Sequence, residues 1–207
     1  MNLIQRIWNW CRRFRHRRGY GVHSPSDFYL VTSVIYERLP YYAFRPLKER
    51  RFEKGRPHYR RKVNELLFRL VNHLAPKTLL EVGTGDGSSI AYMQEARPSM
   101  SAETVDAGSV EEAMKWLDAR MAELGSLEFL HIAHTPYYKE VFDKALPCMK
   151  DNSCMVIGNL YENDAKQKWW KEVIQSERVR ITFDLYDVGI VFFHPKRSKQ
   201  NYIINFL

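Results

Sequence analysis

Cysteine is scarce in this chain: Cys11, Cys148 and Cys154 are an odd number, at spacings that match no metal-ligand pattern. A disulfide framework is therefore not expected, and the three read as free thiols in a reducing compartment. Long apolar runs are also missing. No stretch approaches the roughly 18 residues that a membrane span needs. The opening residues Met1-Asn2-Leu3-Ile4-Gln5-Arg6 lead into arginines, unlike a secretory signal, so a cytoplasmic location is expected. Internal repeats and low-complexity linkers are absent. So is acid near the start: Arg6, Arg12, Arg13, Arg15, Arg17 and Arg18 all precede the first acidic residue, Asp27.

What is present suits one domain plus a modest extension. The 207 residues are 45% hydrophobic and 14% aromatic, enough for a sizeable core. The formal charge is +8 and is placed unevenly, with a second basic stretch from Arg45 to Lys62. Such a balance favours nucleic acid, anionic lipid or an acidic substrate, or is simply a solvated basic face.

The spacing predicts an amphipathic helix over 2–18, with Ile4, Ile7, Trp8, Cys11 and Phe14 on one stripe and arginines around the rest. Gly19-Tyr20-Gly21 breaks it. Ser24 or Ser26 is placed to cap a second helix running to about Arg38. Residues 40–57 read as irregular and basic, and 1–57 as an extension over a main domain of 58–207. In that domain Val63, Leu66, Leu67, Leu70, Val71 and Leu74 form one helical face, closed by Ala75-Pro76. Strand and helix then alternate. Strands are expected at 78–82, 102–106, 127–133 and 153–157, and helices at 88–95, 110–124, 138–149 and 165–175. This order implies a doubly wound, mostly parallel α/β sheet. The runs 179–186 and 190–194, around Asp187-Val188-Gly189, predict an antiparallel hairpin, and 202–206 a last short strand.

The first strand ends in Glu81-Val82-Gly83-Thr84-Gly85-Asp86-Gly87, followed by Ser88-Ser89. Ligands of open α/β sheets bind at this carboxyl end of the strands. A dinucleotide fingerprint, G-x-G-x-x-G, would need a third glycine at 88, where Ser88 stands. With glycines at 83, 85 and 87 and an acid two residues before the first, the loop resembles motif I of class I S-adenosylmethionine (SAM) methyltransferases. That resemblance implies a Rossmann-like fold and SAM as cofactor. It implies Gly83, Thr84, Gly85 and Gly87 as its backbone cradle, with Glu81 in support. Gly21-Val22-His23-Ser24-Pro25 and the run 181–193 resemble segments of a group of bacterial methyltransferase-like proteins. The bland alternative is a tight strand-to-helix turn.

Asp106 stands where the family places the acid that accepts the ribose hydroxyls. Only one strand–helix unit lies between Gly87 and the strand at 127, where the full fold has two. Either the ribose-binding unit is retained and the next is lost, or the reverse. Metal-dependent relatives carry oxygen ligands for a divalent cation. The corresponding positions here are Ala133 and Gly158-Asn159, so a metal site is not expected. Near the reaction centre remain His134, Asn159, Tyr161 and Glu162. His134 is the candidate general base, since imidazole titrates near neutrality, and a structural histidine is the alternative. His23 is either part of a lid or an anchor ahead of a helix. Asp184 and Asp187 read as turn or surface residues.

These features lead to a SAM-dependent methyltransferase acting without a metal on a small-molecule acceptor. The second reading is a binding or regulatory domain that keeps the fold and has lost catalysis. A third assigns the basic N-terminus, with Trp8 and Trp10, to contact with an anionic surface or nucleic acid. No Asn-Pro-Pro-Tyr motif is present, which argues against base methylation. Trp8 and Phe14 packing onto the domain or a second subunit is the alternative.

Overall fold

The computed structural model describes residues 3–207, with side chains from Arg6 onward. Asn2 and the side chain of Ile4, both inside the expected first helix, lie outside what it describes. The chain begins with α1 (Leu3–Arg12), α2 (Pro25–Leu30) with a wider π-helical turn over Val31–Ile35, and α3 (Phe44–Glu49). Then α4 (Arg61–Leu74) leads into β1 (Thr78–Val82), α5 (Ser88–Ala96), β2 (Ser101–Val105), α6 (Val110–Leu124) and β3 (Leu127–Ile132). The last part holds α7 (Tyr138–Ala145), β4 (Met149–Gly158), α8 (Asp164–Gln175), β5 (Ile181–Asp184), β6 (Val188–Phe192) and β7 (Gln200–Ile203).

The strands form one sheet in the order β2-β1-β3-β4-β6-β5-β7. The first four run parallel; β6 is antiparallel to both β4 and β5. This is the Rossmann-like architecture expected, with the antiparallel hairpin near its end. β7 pairs in parallel with β5 at the far edge. The retained strand–helix unit is the one bordering β1, so Asp106 directly follows the strand beside the glycine loop. Two apolar layers sandwich the sheet. One joins α4 residues such as Val63, Leu66 and Leu70 to Phe129, Val156, Phe183 and Ile190, and also takes in Val31, Val34 and Ile35. The other joins Leu117, Val141, Phe142, Trp169 and Trp170 to Leu130, Met155 and Val191.

Local differences from the sequence expectation have physical causes. Ser24 caps α2 as foreseen, accepting from Asp27 N at 3.4 Å. The helix ends early because buried Arg69 of α4 donates to the carbonyls of Val34 (2.7 Å) and Ile35 (3.1 Å). A short helix, α3, interrupts the stretch expected to be irregular, held by Phe44, Leu47, Phe68 and Tyr92. The hairpin turn is not Asp187-Val188-Gly189. Leu185 N bonds Val188 O (2.9 Å) and Tyr186 takes the left-handed φ of 77°. Gly189 lies inside β6, where a Cβ would come within 2.7 Å of the Trp170 ring.

The larger corrections concern α1, Asp184 and Asp187. The helix stops at Arg12, and its polar face turns inward. Arg6 grips both oxygens of Asp187 (3.0 and 2.8 Å), and Asn9 donates to the Tyr186 hydroxyl (3.0 Å). Arg13, just beyond the helix, grips both oxygens of Asp184 (2.9 and 3.0 Å) and donates to Tyr161 (2.6 Å). The Tyr161 hydroxyl donates in turn to Asp184 at 2.6 Å. Asp184 and Asp187 do border the turn, where Asp184 Oδ1 accepts from Tyr186 N at 2.9 Å, but they are docking acids for α1 and the residue after it, not surface residues. Breaking a buried ion pair on one side leaves the other charge stranded. Arg13→Met is therefore expected to cost about 3 kcal/mol in urea unfolding, with Asp184→Asn costing less because the amide still accepts from Arg13.

Candidate functional site

The site lies where β1, β2, β3 and β4 end. Gly83, Gly85 and Gly87 all have left-handed φ, 87°, 62° and 79°. Gly83 N donates to Val105 O of β2 (2.8 Å) and Gly83 O accepts from His134 N after β3 (2.9 Å). A Cβ on Gly83 would lie 2.6 Å from the His134 carbonyl carbon. That glycine is required by the crossing of two chain segments, whatever else the loop binds. The Asp86 carboxylate accepts from Ser88 N (2.9 Å) and Ser88 Oγ (2.6 Å) at the start of α5. Thr84 and Thr104 join hydroxyl to hydroxyl.

Gly85 is different, because its close approach is to the chain's own N-terminal part. A Cβ there would sit 2.2 Å from the carbonyl oxygen of Pro57. That oxygen accepts from Asp86 N at 2.9 Å, and Glu53 N donates to Asp86 O at 3.3 Å. Residues 53–59 thus form a strap laid across the glycine loop. Arg56 of the strap forms an ion pair with Asp106.

Tyr59 anchors the strap. Its hydroxyl lies 3.2 Å from His131 Nε2; His131 Nδ1 lies 2.7 Å from Glu81 Oε2, which also accepts from Ser89 Oγ at 2.8 Å. Glu81 and His131 are fully buried neighbours across the β1–β3 pairing. Gly158 makes room for the tyrosine, since a Cβ there would lie 1.8 Å from the Tyr59 oxygen. Burial, with the negative charge of Glu81 behind it, pushes the Tyr59 phenol well up, so it stays protonated.

His134 packs on Tyr59 with ring centroids 4.3 Å apart and meets Asn159 Nδ2 at Nδ1, 3.0 Å away. The amide nitrogen Nδ2 can only donate, so Nδ1 accepts and a neutral ring carries its proton on Nε2. Burial, then the neighbouring His131, lower His134 to about 4. Asn159 itself has a left-handed φ of 54° and donates its N–H to Asp187 O at 2.7 Å.

Glu81, Gly83, Thr84, Gly85, Asp106, His134 and Asn159 are therefore gathered at one end of the sheet, and Gly87 opens α5 with nothing near its missing Cβ. Tyr161 serves α1 docking instead, and Glu162 is exposed beside Lys166 (3.4 Å). His23 is exposed in the loop before α2. Sequence reasoning missed Arg56, Pro57, Tyr59 and His131. The strap lies in a basic stretch without periodicity. The one available signal was Gly158, a glycine at a strand end with no turn to make. Among the described residues no cluster of three or more His, Cys, Asp or Glu could hold a metal ion.

The sequence matches no protein-family model and no curated protein. The fold does match solved structures. A methyltransferase from Geobacter sulfurreducens superposes with a TM-score of 0.53 at 14% identity, over 76% of this chain and 92% of that one. The O-methyltransferase from Bacillus cereus, solved in complex with SAH, gives 0.50 at 16% identity, over 77% and 95%. The chain therefore has a class I methyltransferase fold.

The seat of Tyr59 makes a double-mutant cycle informative. Gly158→Ala drives a methyl into the hydroxyl and is expected to cost about 2 kcal/mol in chemical unfolding. In a Tyr59→Phe background the same change should cost clearly less. Equal costs in both backgrounds would show that the hydroxyl does not sit over Gly158.

Proposed function

We propose that this chain is a SAM-dependent methyltransferase acting on a small-molecule acceptor without a metal. The observation that carries this reading is the glycine-rich turn Gly83–Gly87 at the strand ends, beside Asp106, which directly follows the neighbouring strand. The donor set suits the cofactor: Gly83, Thr84, Gly85 and Gly87 would hold its amino-acid portion with Glu81 in support, and Asp106 its ribose. When bound, SAM supplies a methyl group activated by a sulfonium. The protein's part is then largely positioning. His134, kept neutral and oriented by Asn159, presents Nε2–H to orient an acceptor oxygen. To serve as a base, it would first have to release Nδ1 from Asn159.

In the conformation described, the strap lies over Gly85 and Arg56 neutralises Asp106. SAM binding thus requires residues 53–57 to move. The same observation favours a second reading, a domain that keeps the fold without catalysis, its cleft filled by its own chain.

Calorimetry with SAM separates the two. Arg56→Ala should tighten binding about three-fold by freeing Asp106 and loosening the strap, and Asp106→Ala should weaken it about ten-fold. If wild type and Arg56→Ala both fail to bind at millimolar SAM, methyl transfer is overturned and the second reading stands. Methyl transfer measured against pH should be flat through neutrality and fall as pH drops through about 4, where His134 gains a proton.

A further inference from the structure

The docking of α1 leaves its apolar side facing outward. Arg6, Asn9 and Arg13 recur at helical spacing and point to the β5–β6 turn. The opposite side carries Ile7, Trp8 and Cys11, with Phe14 beside them. Ile7 is 55% exposed, Trp8 62% and Phe14 47%. An amphipathic helix ordinarily buries its apolar stripe against the core. Here polar contacts hold the helix to the body: two bidentate arginine–carboxylate pairs, and Asn205 Nδ2 donating to Trp10 O at 3.0 Å. The apolar side is left with nothing to cover.

Charge selects the occupant. Arg12, at the end of α1, and Arg15, Arg17 and Arg18, just beyond it, are exposed, and none takes part in an ion pair among the described residues. No acidic residue occurs before Asp27. Arg17 lies 3.5 Å over the Phe14 ring and 5.6 Å from Trp10, so guanidinium and aromatic surface share one patch. Tryptophan and arginine around an apolar strip suit a bilayer interface, with rings at headgroup depth and guanidinium groups on lipid phosphates. A protein partner with an acidic rim would need a matching groove, and single-stranded nucleic acid would leave Ile7 without a contact.

We infer that α1 and the turn that follows it form a membrane-surface element that docks the domain onto an anionic phospholipid bilayer through Ile7, Trp8 and Phe14, with Arg12, Arg15, Arg17 and Arg18 on the headgroups. The inference does not depend on the proposed methyl transfer. The helix lies on the membrane and does not cross it. Among the described residues no helix is long and apolar enough to span one.

Vesicle flotation of the full chain tests it. The protein should float with phosphatidylcholine vesicles containing phosphatidylglycerol, and not with phosphatidylcholine alone. Ile7→Ser combined with Trp8→Ser should lower the bound fraction about ten-fold, and Arg12→Gln and Arg15→Gln about five-fold each. All four side chains are exposed, so the urea midpoint should not move, and an unchanged midpoint ties the loss to the surface. Unaltered flotation of the Ile7→Ser/Trp8→Ser variant overturns the inference. So does an absence of flotation accompanied by RNA binding, or by a dimer that Trp8→Ser dissolves.

Discussion

A carboxylate enclosed at the end of β1 organises the top of this sheet. Glu81 is out of reach of water, and a charge or strong acceptor so placed has to be answered by hydrogen bonds. The answers come from three directions. His131 is its neighbour across the β1–β3 pairing, Ser89 reaches it from the first turn of α5, and Tyr59 completes the chain through His131. That last link matters most. Tyr59 lies two residues before the start of α4, so seating its hydroxyl fixes where the preceding segment must run. Pro57 then falls on Gly85, and Arg56 on Asp106. The cover over the glycine loop follows from the hydrogen-bond chain that ends on Oε2 of one buried acid, whose Oε1 is left without a partner among the described residues.

The glycines divide by what they approach. Gly83 permits the crossing of β1 and the segment after β3, Gly85 permits the strap, and Gly158 permits the Tyr59 hydroxyl. In this chain a side chain at 158 would collide with the group that terminates the Glu81–His131–Tyr59 chain. The space over residue 158 is occupied by the Tyr59 hydroxyl, which reaches it from the segment before α4. Changes at 158 and 59 are therefore coupled through a single contact, and neither position is explained alone.

Much of the fold was legible because its signals are local. The α4 face, the buried run at 78–82 and the alternation to 175 rest on periodicity that burial enforces directly. The hairpin was legible in kind but not in register. Gly189 looks like a turn residue in sequence, yet it is glycine because Trp170 lies against it. The loop residues of the candidate site were readable for the same reason as the strands, being contiguous. Its other half was not. His131 becomes part of a chain only through cross-strand pairing, and Tyr59 only through a contact 72 residues distant. Residues 53–58 have no apolar pattern, since their contacts with the loop run largely through the backbone, which carries no side-chain signature.

The inversion of α1 has the same non-local origin. Periodicity correctly separates an apolar side from a charged one, and the ordinary expectation buries the apolar side. The β5–β6 turn reverses that preference by offering Asp184 and Asp187 at the spacing of Arg13 and Arg6. Asp187 does more than dock the helix. It also accepts from Arg60 at 2.8 Å, and Arg60 adjoins Tyr59 at the end of the strap. Burial would raise the Asp187 carboxyl, but the hydrogen bond from Arg6 and the charge of Arg60 outweigh it, and its pKa lies below the usual range. One ionised carboxylate therefore ties together α1, the hairpin turn and the base of the strap. The basic N-terminus divides by role around it. Arg6 and Arg13 are committed to fixing the extension in place, and the exposed Arg12, Arg15, Arg17 and Arg18, at the end of α1 and just beyond it, form no ion pair among the described residues.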